Sequence, residues 1–576
     1  MPQTKIPDHI IPALLCTDGL LSIFLALFAF SLGLDPNPDW GRSRIVLFFI
    51  GLFLTASSFF LFTRKPAFTK SETIKSIMLF GHVWAILFII YASFITFGNF
   101  TTWKASTRYY TLLADAFGKG QLHVDVEPGV ALLAANDPYS SESRPAFDDD
   151  VWDLSLYKGK LYLYWGPVPA LLLTPFQLFT RQPIADIYLV FFFFCGLLIF
   201  NTLIILKLWR HLFSDIPARN VVASIFLIGL ILPILWSLNI PDVYEAAIGA
   251  GQFFLIGGMY FVILAFEKDI KMLQPPSPAA RTLPGAENIQ KQYLFLAGFF
   301  WACSVGSRAI HVLPILFLTT LTIFWIWKKQ PKPIHWNGII RLAASLLTPL
   351  ALGAILIGWY NWTRFDSPLE FGLRYQITIY NLNRDMPLTF QPDYFPFNFH
   401  AYIFQPFEFI SKFPFIQPVG FSSLLKSLNI TAPKLYASGR MTGILFYAPI
   451  LLLAFLPFFS KNKAGNQTHP ELQKFIQRLF GGSFLISFAA ILFYFYGQMR
   501  FMADPISQVT LLAILGYWLV VRNSKTSKIG LHLANLLIVI TITVSILLAF
   551  SSETSRMEKL NPILMEKINS FFIWQR

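Results

Sequence analysis

The chain has 576 residues, of which 55% are hydrophobic, 17% aromatic and only 13% charged, and its formal net charge is +14. Soluble globular proteins carry roughly 25% charged residues, so this composition excludes an ordinary soluble fold. Nucleic-acid binding is excluded as well, because the Lys and Arg residues lie in short segments between apolar runs and not in one patch.

The apolar runs are about as long as the ~20 residues that a bilayer-spanning helix needs. They predict spans near 10–33, 44–63, 76–97, 183–206, 218–240, 243–266, 293–307, 309–327, 338–359, 441–459, 479–497, 505–521 and 530–550. We interpret the first run as a span and not as a cleaved signal, because it is too long for a signal core and lacks a cleavage site. The fold class predicted is an all-α polytopic membrane protein with about 13 transmembrane helices.

Basic residues set the predicted orientation. Lys and Arg are concentrated in the segments 64–75, 268–291, 328–332, 461–478 and 522–528. All five fall on one side when the spans are counted in order, and the positive-inside rule makes that side cytoplasmic. The opposite side then receives two long loops, about 98–160 and 360–440, together with the C-terminal tail.

This division predicts five regions along the chain. They are N-terminal spans (1–97), a first outer loop with interfacial helices and a re-entrant segment (98–182), central spans (183–359), a second, aromatic-rich outer loop (360–440), and C-terminal spans with an external tail (441–576). Loops of this length in a compact protein are usually functional. The three cysteines, Cys16, Cys195 and Cys303, lie within apolar runs and are expected to be small buried hydrophobes, not a disulfide or metal framework.

The apolar segment 161–180 breaks the simple alternation of spans. Only one crossing is allowed between the outer loop 98–160 and the inner segment 207–219, yet two apolar runs are present. Gly166 and the prolines at 167, 169 and 175 interrupt the first of them. We therefore expect 161–180 to dip into a cavity wall or lie in the interface, since irregular backbone at membrane depth needs protein or a cavity around it. The alternative is that it spans fully and another span is wrong.

Four acidic residues, Asp148, Asp149, Asp150 and Asp153, stand just before this segment. A helix is predicted ahead of them over 108–117, ending at the glycines of "RYYTLLADAFGKG". Its apolar face indicates either an amphipathic helix at the outer interface or a packing helix only. In the second loop, residues 394–418 are dense in Phe and Tyr, which predicts a segment that lies on the membrane interface or roofs a cavity.

Five stretches together resemble bacterial GT-C glycosyltransferases, integral membrane enzymes of the protein O-mannosyltransferase and aminoarabinose-transferase kind. They are "RYYTLLADAFGKG" (108–120), "DLSLYKGKLYLYWGPVPALL" (153–172), "VGSRAIHVLP" (305–314), "YNWTRFDSPLEFG" (360–372) and "GQMRFMADP" (497–505). Each stretch is weak alone, and the resemblance rests on their order and shared outer placement. One departure stands out, because Ala105 and Ser106 occupy the place of the acidic pair that supplies the family's usual base.

The resemblance implies a membrane enzyme that moves a sugar from a polyprenyl-phosphate donor to a lipid, glycan or protein acceptor on the outer face of the bacterial cytoplasmic membrane. Such transfer needs a base near the acceptor hydroxyl and positive charge near the departing phosphate. Without the acidic pair, the base must come from elsewhere on the loop. The candidates are Asp153, then Asp150, Asp125 and Glu127, with Asp115 as a further carboxylate.

Substrate contacts are expected from charged and aromatic residues in or next to the resembling stretches. These are Arg108, Tyr109, Lys158, Lys160, Tyr162, Arg308, Arg364, Arg374, Arg500 and Asp504. A divalent metal ion held by the acidic run with Asp125 or Glu127 is a further hypothesis, and no cofactor is indicated beyond it. His123 and His311 lack the spacing of zinc ligands.

Plainer roles stay open for several of these residues. Asp148–Asp150 has the pattern of a solvated acidic turn, and Asp153 suits a cap of the following element. Arg308 suits snorkelling toward headgroups, and Arg500 and Asp504 are spaced to pair across one helical turn. A transporter or flippase of a lipid-linked glycan is the alternative function, and a scaffold protein a third. A transporter should show paired halves and broken helices at matching positions, and the sequence shows no paired halves.

Overall fold

The computed structural model describes residues 6–30, 34–35, 37, 39–64, 71–100, 102–104, 107–144, 151–267, 289–330, 336–420, 430–459, 470–523, 528–552 and 556–572. The predictions made on Ala105, Ser106 and Asp148–Asp150 fall outside these residues. The chain forms two compact units: Met1–Ile89 with Ser214–Phe226, and Ile90–Phe213 with Leu227–Arg576. The second, larger unit carries both long loops.

The helices are α1 (Ile10–Phe28), α2 (Arg42–Arg64), α3 (Glu72–Ile95), α4 (Tyr109–Gly118), α5 (Val130–Leu133), α6 (Val168–Thr180), α7 (Asp186–Leu212), α8 (Ala218–Gly229), α9 (Leu232–Asn239), α10 (Val243–Ala265), α11 (Lys291–Val305), α12 (Val312–Lys328), α13 (Trp336–Phe365), α14 (Leu382–Asp385), α15 (Phe395–Phe404), α16 (Ile444–Tyr447), α17 (Leu456–Phe459), α18 (Pro470–Leu492), α19 (Ala503–Arg522), α20 (Lys528–Ser551), α21 (Arg556–Leu560) and α22 (Pro562–Phe572). Short 3-10 turns occupy Ala309–His311, Leu373–Tyr375, Met386–Leu388, Pro392–Tyr394, Pro449–Phe455 and Met499–Met502.

Strands are few and short. They are β1 (Ser155–Tyr157), β2 (Lys160–Tyr162), β3 (Phe407–Phe409), β4 (Ile416–Gly420), β5 (Ala437–Ser438), β6 (Arg440–Met441) and β7 (Tyr496–Gly497). β1 and β2 form an antiparallel hairpin, β3, β4 and β6 form a three-stranded antiparallel sheet, and β5 pairs with β7 in parallel. Because 72% of the chain is helical and almost none is sheet, the predicted all-α polytopic fold is confirmed.

Ten of the described helices are long and apolar enough to cross a membrane, or eleven if α8 and α9, bent by 45°, count as one span. Two predicted spans are shorter. The run 293–307 is the 15-residue α11, and the run 441–459 is divided among α16, a 3-10 turn and α17. By the criterion of length, the described residues thus contain ten or eleven spans against the about 13 predicted, because α11 has only 15 residues and the run 441–459 is interrupted by a 3-10 turn that begins at Pro449.

In the larger unit, the termini of the long helices lie at two ends of the bundle. At one, which we name the loop end, Asn239 donates a hydrogen bond to the carbonyl of Ala549 (2.8 Å), and Asp242 pairs with Arg556 (2.8 Å). At the other, the basic end, Lys207 pairs with Glu267 (2.8 Å). Both long loops join helices at the loop end, as the count of basic segments predicts.

The helix α6 starts and finishes at the loop end. The amide of Val168 donates to the carbonyl of Gly306 (3.0 Å), and the carbonyl of Ile184, just after α6, accepts from Thr111 in α4 (2.5 Å). Thirteen residues of helix are only about 20 Å long, less than the ~30 Å of a bilayer core. α6, which contains Pro169 and Pro175, is therefore too short to count among the candidate spans, and the placement of 161–180 relative to a membrane stays a prediction.

The aromatic segment of the second loop packs on the loop-end termini of the spans. In α15, the Asn398 amide donates to the carbonyl of Leu492 (3.1 Å) at the end of α18, and Tyr402 donates to the carbonyl of Gln498 (3.2 Å). Phe395, Phe399, Phe404 and Phe409 keep exposed rings. Its contact with a membrane interface stays a prediction.

Labelling tests which end faces the outside. In a chain with its native cysteines replaced, Ser141→Cys in the first long loop should react with a membrane-impermeant maleimide in sealed cells. Lys329→Cys, just after α12 at the basic end, should react only after permeabilisation, because the positive-inside rule places it in the cytoplasm. Reaction of Lys329→Cys in sealed cells, with Ser141→Cys protected, would reverse the orientation.

Candidate functional site

Asp153 is positioned by backbone pairing between the two long loops. Its amide donates to the carbonyl of Ile377 (2.9 Å), and the amide of Ile377 donates back to Leu154 (2.8 Å). Asp153 itself has a left-handed φ of 60°, a conformation that Asp adopts more readily than most residues. The ladder continues into β1, where the Ser155 hydroxyl donates to the carbonyl of Gly372 (2.8 Å). The position of the carboxylate is thus fixed by both loops together.

The carboxylate of Asp153 is buried, with 4% of the residue exposed. Its Oδ1 accepts from the Gln376 amide (2.6 Å), and its Oδ2 has no hydrogen-bond partner among the described residues. Burial raises the pKa of Asp153 to about 6, although the charge of Arg500 and hydrogen bonds from the Gln376 and Trp152 side chains pull the pKa down. Asp153 is therefore a carboxylate at neutral pH that can accept a proton at modest cost.

A buried ion network lies at the breaks between spans. Arg308 contacts Oδ2 of Asp504 through Nε (2.8 Å) and Nη2 (2.7 Å), and Nε2 of His311 lies 3.1 Å from the other oxygen. Nδ1 of His311 is 2.8 Å from the Ser304 hydroxyl, which donates to the carbonyl of Gly251. Asp504 is 2% exposed, so its charge depends on Arg308 and His311 for compensation.

The interruption of the helix between α11 and α12 makes this network possible. A 3-10 turn at Ala309–His311 redirects the backbone, so that Arg308 and His311 both face α10 and α19. Gly251 in α10 leaves the necessary space, since a Cβ there would lie 2.7 Å from Cε1 of His311 and 3.1 Å from Cβ of Arg308. A glycine at 251 is thus required by close packing.

Arg500 is a second guanidinium near the ring of Phe501. The guanidinium carbons of Arg308 and Arg500 are 5.6 and 5.8 Å from the centre of that ring. Nη1 of Arg500 is 3.5 Å from Oε1 of Glu245 in α10, and its guanidinium stacks 4.0 Å from the ring of Tyr244. Arginine-aromatic stacking of this kind holds the planar group in one orientation.

Two tyrosines lie within electrostatic range of the carboxylate and of both arginines. The phenols of Tyr164 and Tyr494 each interact electrostatically with Asp153, Arg308 and Arg500. Tyr164 comes from the segment after β2 and Tyr494 from the segment after α18. One buried carboxylate and two guanidiniums therefore lie within electrostatic range of the same two phenols at the loop end, where an anion could bind beside a base.

The structure corrects the expected pairing of Arg500 with Asp504. Although four residues apart, they take different partners: Asp504 holds Arg308 and His311, and Arg500 approaches Glu245. Arg308 does not snorkel, because it is buried against Asp504. Asp153 does not cap a helix, since a hairpin follows it and its carboxylate accepts from Gln376.

Lys158 and Lys160 point away from this cluster. Lys158 and Gly159 both have positive φ, 49° and 73°, as a two-residue hairpin turn between β1 and β2 requires. Lys158 is exposed and pairs with Asp366, which also accepts from the Tyr157 hydroxyl (2.7 Å). Lys160 is exposed as well. A donor phosphate at the Asp153 cluster would not meet either lysine in this conformation.

The remaining predicted contact residues have surface or packing positions. The Arg364 guanidinium is buried and donates to the carbonyl of Leu163 (2.7 Å) and to Asn361 (2.8 Å), so it fastens the end of α13 to the segment after β2. The others are Arg108, exposed before α4; Tyr109, which donates to the carbonyl of Trp152 (2.6 Å); Tyr162, packed on Phe365; and Arg374, exposed and 3.9 Å from Glu370.

The alternative bases are also accounted for where they are described. Asp125 is exposed and pairs with Lys119, and Glu127 is exposed. Asp115 in α4 accepts from Gln177 in α6 (2.9 Å), and burial raises its pKa from the ordinary value. Asp150 lies outside the described residues. Within the described ranges, no group of three His, Cys, Asp or Glu residues suits a metal ion, so a metal stays a prediction.

Sequence reasoning missed Glu245, Gln376 and the tyrosines Tyr164 and Tyr494. Glu245 had a detectable signal, because a lone acidic residue inside an apolar span is costly and usually functional. The other three carry no sequence signal of comparable strength, since polar and aromatic residues are frequent in both loops. Their placement follows from the packing of the two loops on each other.

Among solved structures, the fold is similar to the oligosaccharyltransferase of Archaeoglobus fulgidus. Its apo form gives a TM-score of 0.43 at 12% identity, over 82% of this chain and 56% of that chain. Its complex with zinc and sulfate gives 0.43 at 13%, over 82% and 53%, and its complex with an inhibitory peptide and a dolichol-phosphate gives 0.40 at 12%, over 82% and 56%. This chain thus spans just over half the length of the archaeal enzyme. No protein-family model matches the sequence, and no curated protein matches it.

Asp153→Asn should stabilise the protein at neutral pH. A pKa raised from 3.8 to about 6 means that ionising Asp153 destabilises the folded state by up to about 3 kcal/mol above pH 6. Asn keeps the hydrogen bond from Gln376, tolerates the positive φ and carries no charge. Thermal unfolding in detergent should show a gain that is full at pH 7.5 and absent at pH 4. A variant less stable than the wild type at pH 7.5 would contradict the conclusion that burial of the Asp153 carboxylate is only partly compensated.

Asp504→Asn should destabilise the protein strongly, because it leaves the Arg308 charge buried without its counterion. Removing one partner of a buried pair typically lowers the free energy of unfolding by about 3–5 kcal/mol. Asp366→Asn, which breaks the exposed pair with Lys158, is the matched control and should leave the unfolding midpoint unchanged. Equal effects of the two substitutions in denaturant unfolding would show that burial of the Asp504 network contributes nothing.

Proposed function

We propose that the protein is a membrane glycosyltransferase of the GT-C type that transfers a sugar from a polyprenyl-phosphate donor at its loop end. The observation that carries the proposal is the convergence of Asp153 with Arg308 and Arg500 around Tyr164 and Tyr494. The sequence stretches that resemble GT-C enzymes add support, because "GQMRFMADP" and "VGSRAIHVLP" supply both arginines. The acceptor is a lipid, glycan or protein hydroxyl on the outer face of the bacterial cytoplasmic membrane.

In this proposal, Asp153 is the general base. The acceptor hydroxyl gives its proton to the carboxylate as its oxygen bonds to C1 of the sugar, and the bond between C1 and the phosphate oxygen breaks. A base with a pKa of about 6 is well matched to neutral pH, since it is ionised yet still basic enough to take the proton. Oδ2, which has no partner among the described residues, is the oxygen available for the acceptor.

Arg308 and Arg500 have the complementary role of holding the donor phosphate. The phosphodiester carries one negative charge, and the departing polyprenyl phosphate gains another as the bond to C1 breaks. Guanidinium groups fixed in advance by Asp504, Tyr244 and Phe501 stabilise that developing charge without first having to reorient. Both arginines are held by buried contacts, which keeps their geometry unchanged when the ligand arrives.

The test is a transfer assay with purified protein and defined polyprenyl-phosphate sugars. Asp153→Asn should reduce turnover by about 10²–10⁴-fold, the usual effect of removing a positioned base, while the protein stays folded. Asp125→Asn is the matched comparison, because that carboxylate is exposed and paired with Lys119. Full activity of Asp153→Asn, or a loss with Asp125→Asn alone, would remove Asp153 from the mechanism.

The pH dependence gives an independent check. Because Asp153 acts as a carboxylate, activity should rise with pH and reach a plateau above its pKa of about 6. Below that pH, the rate should fall about tenfold per unit as Asp153 becomes protonated. The enzyme proposal would be wrong if no donor supported transfer while labelled lipid moved between the leaflets of vesicles. That result would favour the flippase.

A further inference from the structure

Trp165 is an aromatic residue beside the candidate site that the proposed mechanism does not use. Its indole Nε1 is buried and has no hydrogen-bond partner among the residues that the structure describes. An indole N–H is a donor only, so it needs an acceptor such as a carbonyl or hydroxyl oxygen. A buried donor without an acceptor costs free energy, and a ligand oxygen that accepts from it would remove that cost.

The segment that carries Trp165 is held on both sides of the indole. Before it, the carbonyl of Leu163 accepts from Arg364 (2.7 Å). After it, Gly166 lies so close to the break between α11 and α12 that a Cβ there would come within 2.1 Å of the carbonyl oxygen of Gly306. Trp165 therefore has a fixed place beside the break that carries one of the two arginines.

One aromatic ring separates Trp165 from Arg500. The indole meets the ring of Tyr244 edge to face, with ring centres 5.5 Å apart, and the Arg500 guanidinium carbon lies 4.0 Å from the centre of the same ring. The indole also contacts the ring of Tyr164 (4.4 Å), whose phenol is within electrostatic range of Asp153. Trp165 thus packs against one ring beside the proposed phosphate group and against another in range of the proposed base.

The chemistry of these three rings suits a sugar. Tyr164, Trp165 and Tyr244 are each half-buried, so part of each ring is accessible. The sugar of a polyprenyl-phosphate donor must lie between phosphate and acceptor, because its C1 is bonded to one and attacked by the other. A sugar ring has apolar C–H groups that pack on aromatic rings, and hydroxyl oxygens that accept hydrogen bonds.

We propose that Trp165 recognises the donor sugar, and that its indole N–H donates a hydrogen bond to one sugar hydroxyl. The inference rests on the proposed function in taking a sugar phosphodiester as the ligand of the site. Turning the indole toward that ligand breaks no hydrogen bond among the described residues. Binding therefore gains a hydrogen bond that the free protein lacks, and Trp165 acts in specificity and not in the chemical step.

The experiment compares phosphodiesters with and without a sugar. The purified full chain in nanodiscs is titrated by calorimetry with a farnesyl methyl phosphodiester and with farnesyl phosphodiesters of mannose, glucose, galactose and N-acetylglucosamine. All carry the same single charge, so a difference in Kd reports the sugar. The wild type should bind at least one sugar compound about tenfold more tightly than the methyl compound, the gain expected from one neutral hydrogen bond and one aromatic contact.

Trp165→Phe keeps an aromatic ring and removes the N–H. It should weaken binding of the preferred sugar compound by about two- to tenfold, the usual worth of one neutral hydrogen bond, and leave the Kd of the methyl compound unchanged. Monodeoxy analogues then identify the hydroxyl by a double-mutant cycle. The analogue that lacks the bonded hydroxyl should bind the wild type more weakly than the parent sugar does, but should bind Trp165→Phe as tightly as the parent does.

Trp103→Phe is the matched control. Trp103 stacks on Tyr188 with ring centres 5.1 Å apart, and its N–H already donates to the carbonyl of Phe100 (3.2 Å). This variant should bind every compound as the wild type does. Thermal unfolding without ligand shows whether each variant is folded.

Four results would overturn the inference. Equal wild-type affinity for the methyl compound and for every sugar compound would show that no sugar is recognised, while phosphate binding would stand. An unchanged sugar preference in Trp165→Phe would remove the N–H from recognition. Equal weakening of all compounds by Trp165→Phe would reduce Trp165 to packing around Arg500. A folded wild type that binds none of the phosphodiesters would contradict the proposed function as well.

Discussion

The site depends on one constraint: charges buried at one end of an apolar bundle must be compensated by partners of opposite charge. Asp504 begins α19, the most completely buried of the candidate spans, and an isolated carboxylate there would cost several kcal/mol. Arg308 and His311 compensate it from the break between α11 and α12. That break needs both the 3-10 turn and the open space at Gly251. Three spans are therefore held in register by one ion network.

In the long loops, too, buried carboxylates are bonded by donors from a different element. Asp186, at the start of α7, accepts from the amides of Tyr109 and Tyr110 (3.0 and 3.1 Å) and from the Thr107 hydroxyl (2.6 Å), so a buried carboxylate from one element caps α4 in another. Asp153 receives its donor from the opposite loop. The loops are thus rigid partners of the bundle at this end, and the position of the candidate base follows from their mutual pairing.

Much of the fold could be predicted from sequence, because a chain that crosses lipid must pair its backbone polar groups internally, and long apolar helices do so. Long apolar runs predicted most of the long helices, and prolines 169 and 175 lie in α6, which is shorter than the candidate spans. The site was only partly predictable. Asp153, Arg308 and Arg500 were identified by type and position, but their partners were not, because ion pairs form between residues far apart in the chain. Arg500 pairs with Glu245 across 255 residues, although Asp504 is only four residues away.

The lysines show why proximity in sequence misled the prediction. Lys158 and Lys160 follow Asp153 by five and seven residues, which suggested that all three face one ligand. The two-residue turn at Lys158–Gly159 instead places Lys158 at the tip of a hairpin, while Asp153 stays at its buried base. Strand geometry separates them, whereas spans from distant parts of the chain bring the arginines to the carboxylate. The arginines are thus fixed by the bundle and the carboxylate by the loops, so the proposed site requires both parts to fold together.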